Sequence, residues 1–178
     1  FYDKGDYAGA QMVYRLALEI DPDYSAANVA MGIRLYKGGE FVKAESYLRR
    51  AAARGNQNYM RAKDVEPEYM LALVCREQGK LKEAEDLFWR ATWRKTVGCE
   101  AQTELARLAC LKGDWKEALD RIDDALALGS KNAKLHVIRA YVSRRLGRGN
   151  DDLIAAGRSL HLAQSCDALD YWGMLERV

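Results

Sequence analysis

The sequence predicts an all-α fold, a solenoid of antiparallel helix pairs, and three observations carry that prediction. Glycines recur at Gly5, Gly39, Gly79, Gly113 and Gly147, at spacings of 34, 40, 34 and 34 residues. Alanines follow the first four of them by five residues, at Ala10, Ala44, Ala84 and Ala118, and by twelve, at Ala17, Ala51, Ala91 and Ala125. A large side chain follows by nine: Tyr14, Leu48, Phe88 and Ile122. A fixed period of this length marks stacked supersecondary units.

Each unit reads as a helical hairpin. Residues 1–22 form a partial unit whose helix runs from 6 to 19 and ends at Asp21-Pro22. In the second unit, 25–56, Val29, Gly32, Ile33 and Tyr36 lie at helical spacing over 25–37. After the Gly38-Gly39 break, Phe41, Ala44, Leu48 and Ala51 line one face of a helix over 40–54. The third unit, 65–94, predicts helices at 66–78 and 81–94, and the fourth, 99–130, at 99–112 and 115–128. The fifth, 133–164, predicts 132–146 and 150–163, and a capping helix closes the chain over 167–178. In the fifth unit the ruler lands on Asp152, Ala156 and Ser159, so that unit is degenerate or its second helix is displaced. Six extra residues (40 against 34) lengthen the link between the second and third units, within 56–68.

The residue types have local reasons. A glycine just past a helix can take the left-handed conformation that satisfies terminal carbonyls. Alanines suit places where helix axes approach closely, and the bulky residues fill the remaining gaps.

The stretch "GDYAGAQMVYRLALEIDP" (5–22) carries the strongest copy of the pattern, and the chain resembles the tetratricopeptide repeat family over nearly its whole length. That resemblance implies a right-handed superhelical solenoid of about four to five repeats. Later units lack the closing proline, with "ARGN", "WRKT" and "ALGS" in its place. "LFWRATW" (87–93), "LARLACLKGDWKEALDRIDDALAL" (105–128) and "VSRRLGR" (142–148) are also similar to C-terminal repeats of large bacterial proteins with an N-terminal domain of unknown function. "CDALDYW" (166–172) resembles the run that follows the last repeat there.

Composition excludes several function classes. Twenty-eight basic against 26 acidic residues leave a net charge of +2, with both signs alternating along the helices. The densest basic cluster, Arg144, Arg145 and Arg148, reads as a solvated helix end where cations suit the dipole. No nucleic-acid motif accompanies it. No apolar run approaches the ~18 residues a membrane span needs, and no signal peptide is visible. The chain opens at Phe1 in mid-unit and reads as a fragment, with a cytoplasmic location expected.

Cys75, Cys99, Cys110 and Cys166 form no C-x-x-C pair and read as buried free thiols. His136 and His161 read as surface or half-buried residues. The carboxylates Glu83, Glu85, Asp86, Asp120, Asp123 and Asp124 are interleaved with cations, a pattern of solvated pairs. No catalytic or phosphate-binding motif is present, so neither an enzyme, a metal nor a cofactor is expected.

What remains is a binding surface. In stacked hairpins the first helix of each pair lines a concave groove and the second backs it. The expected groove residues are Ile33, Tyr36, Tyr69, Met70, Leu73, Arg76, Thr103, Arg107, Tyr141 and Arg144. Val29, Lys37, Glu77, Glu100, Glu104, Lys134 and Val137 share those helix faces. Some family members clamp a peptide's terminal carboxylate with Lys, Asn and Arg. Those places here hold Val29, Ile33, Ala30, Glu66 and Met70, none of which donates a side-chain hydrogen bond to a carboxylate.

The first reading is a protein–protein interaction scaffold that grips a partner peptide or domain. The alternative is a structural or regulatory tail docked on the upstream domain of a larger bacterial protein, a carbohydrate-active one among the candidates. The partial first unit leaves Tyr7, Met12, Val13, Leu16 and Ile20 on a helix with one neighbouring hairpin. Residues 1–20 are therefore expected to fray or to pair with a second copy through that end, as a consequence of truncation.

Overall fold

The computed structural model describes residues 7–58, 67–94, 96–129, 131–147 and 149–167. Among them stand nine α-helices and no strand. They are α1 (Tyr7–Ile20), α2 (Ser25–Lys37), α3 (Phe41–Asn58), α4 (Pro67–Glu77), α5 (Leu81–Ala91), α6 (Gly98–Lys112), α7 (Trp115–Leu128), α8 (Ala133–Leu146) and α9 (Asn150–Cys166). The expected boundaries hold to within a few residues: α3 runs on to Asn58 and α5 ends at Ala91 rather than at 94. The expected capping helix lies mostly outside the described residues. None of the described helices is long and apolar enough to cross a membrane.

The glycine ruler has the predicted physical basis. Gly39, Gly79, Gly113 and Gly147 all have positive φ, at 75°, 75°, 77° and 56°. At the first three, the next residue's N–H reaches back five residues to a carbonyl: Glu40 to Leu35, Lys80 to Cys75 and Asp114 to Ala109, at 2.9–3.0 Å. That bond closes the helix end, and only a residue without Cβ takes the left-handed step cheaply. Asp114 then caps α7 by accepting from Glu117 N–H at 3.0 Å, and Asn132 caps α8 through Leu135 N–H.

The helices fall into two compact units, residues 1–91 and 92–178. In the first, α2 packs along α3 and α4 along α5, with α3 also against α4 and α1 against α2. Ala44, Leu48 and Ala51 of α3 and Ala84, Phe88 and Ala91 of α5 are fully buried, as the ruler requires. A second ruler goes unread in the sequence: Gly32, Ala72, Ala106 and Ala140 each lie seven residues before the left-handed glycine and are buried. A Cβ on Gly32 would come within 2.5 Å of Leu48 Cγ, so the small residue there admits the large one on the partner helix. Asn28, with no exposed surface, donates to the carbonyls of Pro22 (2.9 Å) and Tyr24 (3.1 Å) and so ties the Asp21-Pro22 turn to α2.

In the second unit α6 packs on α7, α7 on α8 and α8 on α9. Its core gathers Ala106, Ala109, Ala118, Ile122 and Val142, flanked by Trp115, Leu119, Ile138 and Tyr141. A smaller cluster joins Ala140 to Ala156 and Leu160. The second helix of the fifth repeat is therefore not displaced: Ala156 and Ser159 are buried, and only the residue types are degenerate.

Candidate functional site

The described structure identifies which side of each first helix packing leaves open. On α2 the buried set is Ala27, Asn28, Val29, Met31, Gly32 and Leu35. At 100° per residue that leaves one strip, formed by Ala26, Ala30, Ile33, Arg34 and Lys37. Arg34 and Lys37 make no ion pair among the described residues. On α4 the open strip is Tyr69, Leu73, Arg76 and Glu77, and α4 touches α2 directly.

Several expected groove residues lie elsewhere. Met70, 8% exposed, and Val29, 6%, point into the core because α2 and α4 are each covered on more than one side. Tyr36 is half-buried with its ring 5.9 Å from Phe41 at the start of α3. Tyr69 is half-buried too, its ring 5.8 Å from the buried Phe88, so one edge is anchored and the rest reaches the surface. Arg76 bonds its neighbour Glu77. Of the carboxylate-clamp places, Ala30 and Ile33 stay on the open strip, and Glu66 lies outside the described residues.

In the second unit the open strip of α6 is Glu100, Thr103, Arg107 and Leu111. Thr103 turns its hydroxyl back onto the Cys99 carbonyl at 2.8 Å. Arg107 is exposed and pairs at 3.0 Å with Glu104, a carboxylate that proves to be buried. On α8, Lys134, Arg144 and Arg145 are exposed, Tyr141 is half-buried, and Val137 is core. Tyr141 meets Trp115 of α7 edge-on at 6.2 Å. Arg145 lies 5.3 Å from the Tyr141 ring and 6.0 Å from Trp115, and its Nε donates to the Tyr141 hydroxyl at 3.2 Å. The groove prediction omitted Arg145. Its four-residue spacing from Tyr141 was the available signal. An open depression of about 840 Å³ lies at the other end of α8, lined by Leu128, Lys131, Lys134, Cys166 and Asp167 among others.

A polar cluster on α3, α4 and α5 also escaped the sequence. Arg49 binds Glu45 of its own helix at 2.7 Å and Glu83 of α5 at 2.6 Å, while Lys80 reaches Glu45 at 2.8 Å. Burial would raise the Glu45 pKa, but the hydrogen bonds from Lys80 and Arg49 outweigh it and hold the carboxyl at about 2. Oxygens of Glu45 and Glu83 lie within 4.8 Å of the Cys75 sulfur, a donor set a metal ion could share. The two cations already satisfy those carboxylates. Burial, with the nearby Glu83 and Glu45, pushes the Cys75 thiol up to about 11, so it is protonated. The cluster therefore fits an ion-pair network that joins successive repeats.

All four cysteines are free, but only Cys75 is fully buried; Cys99 and Cys110 are half-buried and Cys166 is exposed. His136 is buried, against expectation, because α8 is covered by both α7 and α9. His161 is exposed.

A tetratricopeptide-repeat family model matches residues 1–66. Among solved structures, the chain is similar to PilW, described as a widely conserved type IV pilus biogenesis factor. That match has a TM-score of 0.78 at 18% identity and covers 100% of this chain and 78% of that one. It is similar to MamA (TM-score 0.74, 17% identity, 94% and 92% covered). It is also similar to YrrB, described as a TPR protein with an unusual peptide-binding site (0.73, 17%, 99% and 86%). Residues 1–66 thus match the tetratricopeptide repeat model, the glycine and alanine ruler continues the same pattern beyond them, and the described helices share the fold of these solved structures.

Proposed function

We propose that the chain is a protein–protein interaction scaffold that holds a partner peptide or domain on the open strips of its first helices. One observation carries this reading. After α2 and α4 have packed, the strips they leave still present Ile33, Tyr69 and Leu73 beside Arg34 and Lys37, a mixture of apolar anchors and cations suited to a protein surface. The peptide-binding site named for YrrB supports the same class of function. The test is photocrosslinking with the reactive group placed at Ile33, Leu73 or Thr103, and in parallel at Lys82 or Lys116 on second helices. Crosslinks to the natural partner should concentrate on the first-helix positions. Equal yields from both sets would refute the assignment.

A second reading, docking on a neighbouring domain or pairing with a second copy, is favoured by α1. Met12 is 66% exposed, with Val13, Leu16 and Ile20 also open. Tyr14 and Ala17 are half-open where their counterparts Leu48, Phe88, Ala51 and Ala91 are sealed. An apolar helix face of this kind is covered in the other repeats by a first helix. Met12→Lys with Leu16→Lys should abolish concentration-dependent association in sedimentation. Unchanged association would place the contact elsewhere.

A further inference from the structure

We propose that the outer strip of α8 docks an acidic segment of a protein partner, with Arg145 and Lys134 as its two anchoring cations. This rests on the scaffold reading above and names the chemistry of the partner.

The charge pattern carries the argument. Several cations on other helices are matched by a carboxylate: Lys43 by Glu40, Arg49 by Glu45 and Glu83, Arg107 by Glu104, Arg121 by Asp124. Helix α8 differs. Its sequence, AKLHVIRAYVSRRL, holds four Lys or Arg residues and no carboxylate. One of them, Arg139, is used internally, binding Asp123 at 2.6 Å and the Ser159 hydroxyl at 2.9 Å. Lys134 and Arg145 are exposed and make no ion pair among the described residues. Eleven residues separate them, three turns, so they project from the same side of the helix at roughly 16 Å.

Between these cations lies a ledge suited to apolar contact. Trp115 and Tyr141 are half-buried, and the Arg145 guanidinium is held against both rings. Its Nε is committed to the Tyr141 hydroxyl, which leaves both terminal nitrogens to face a carboxylate as a fork. A guanidinium fixed in this way loses little freedom on binding. The complementary ligand is a segment with acidic residues about 16 Å apart, roughly five residues of extended chain, and an apolar residue between them. A polynucleotide would call for a denser row of cations than these two points supply.

Fluorescence anisotropy on the full chain tests this with three labelled probes. They are a peptide with Glu pairs flanking a Leu centre, the same peptide with Gln for Glu, and an oligothymidylate. The Glu peptide should bind best, and more weakly as salt is raised. Arg145→Gln and Lys134→Gln should each weaken it about tenfold. Arg145→Lys should rescue only part of the loss, and Lys82→Gln on the second helix α5 should change nothing. All three side chains are on the surface, so circular dichroism should show unaltered folding. Equal binding of the Gln peptide, indifference to Arg145→Gln, or no binding of the Glu peptide overturns the proposal. So does tighter, equally Arg145-dependent binding of the oligothymidylate, which would assign the strip to polyanions in general. A Gln peptide that binds α8 as well as the Glu peptide leaves the scaffold reading intact and removes only the acidic assignment.

Discussion

Replacing Glu45 by Gln keeps the shape of the side chain and removes the charge that Arg49 and Lys80 share. Glu45 is 13% exposed, and its carboxyl is held at about 2 against an ordinary 4.5. That difference corresponds to about 3 kcal/mol of folding free energy. The sign follows from the direction of the shift. A carboxyl with a lowered folded-state pKa stabilises above its unfolded value, and the contribution is lost as pH falls through 4.5 towards 2. Between pH 6.5 and pH 3 the wild-type chain should lose about 2 kcal/mol through this group, while Glu45→Gln has nothing of the kind to lose. The variant should thus be about 3 kcal/mol less stable near neutrality and only about 1 kcal/mol less stable at pH 3. Repeat proteins can unfold in parts, so the measurement is amide hydrogen exchange resolved on α3, α4 and α5 across that pH range. A stability gap that stays constant with pH would show that the network is solvated and contributes little, as exposed pairs do.

Three further outcomes are expected. Gly32→Val should destabilise the first unit by about 1–3 kcal/mol in urea unfolding, and Leu48→Ala should relieve part of that cost by vacating the space its Cβ needs. Of the four thiols, Cys166 should react first with a thiol reagent at neutral pH and Cys75 last, since the first is exposed and the second is buried and protonated; an early-reacting Cys75 would mean that α4 opens readily. Tyr69→Ala should lower stability through the lost Phe88 contact as well as weaken partner capture, whereas Arg107→Ala should leave the melting curve within about 0.5 kcal/mol; melting curves of the two variants read both.

Helix placement and repeat period were legible because short-range sterics set them. A left-handed glycine ends α2, α4, α6 and α8, and an alanine or a large residue at fixed offsets meets the same neighbour each time. Those rules act within a few residues and repeat with the chain. Which side of each first helix stays open belongs to the tertiary structure. Val29 and Met70 look no more buried in sequence than Ile33 and Leu73, yet offsets of only about 40° and 60° around the helix separate core from surface. Glu45, Arg49, Lys80 and Glu83 form one network because α4 packs on both α3 and α5, bringing together charges 34 and 35 residues apart. Arg145 depends on the packing of α7 against α8, which carries Trp115 to the ring of Tyr141. Such contacts join residues far apart in the chain, and no local spacing encodes them.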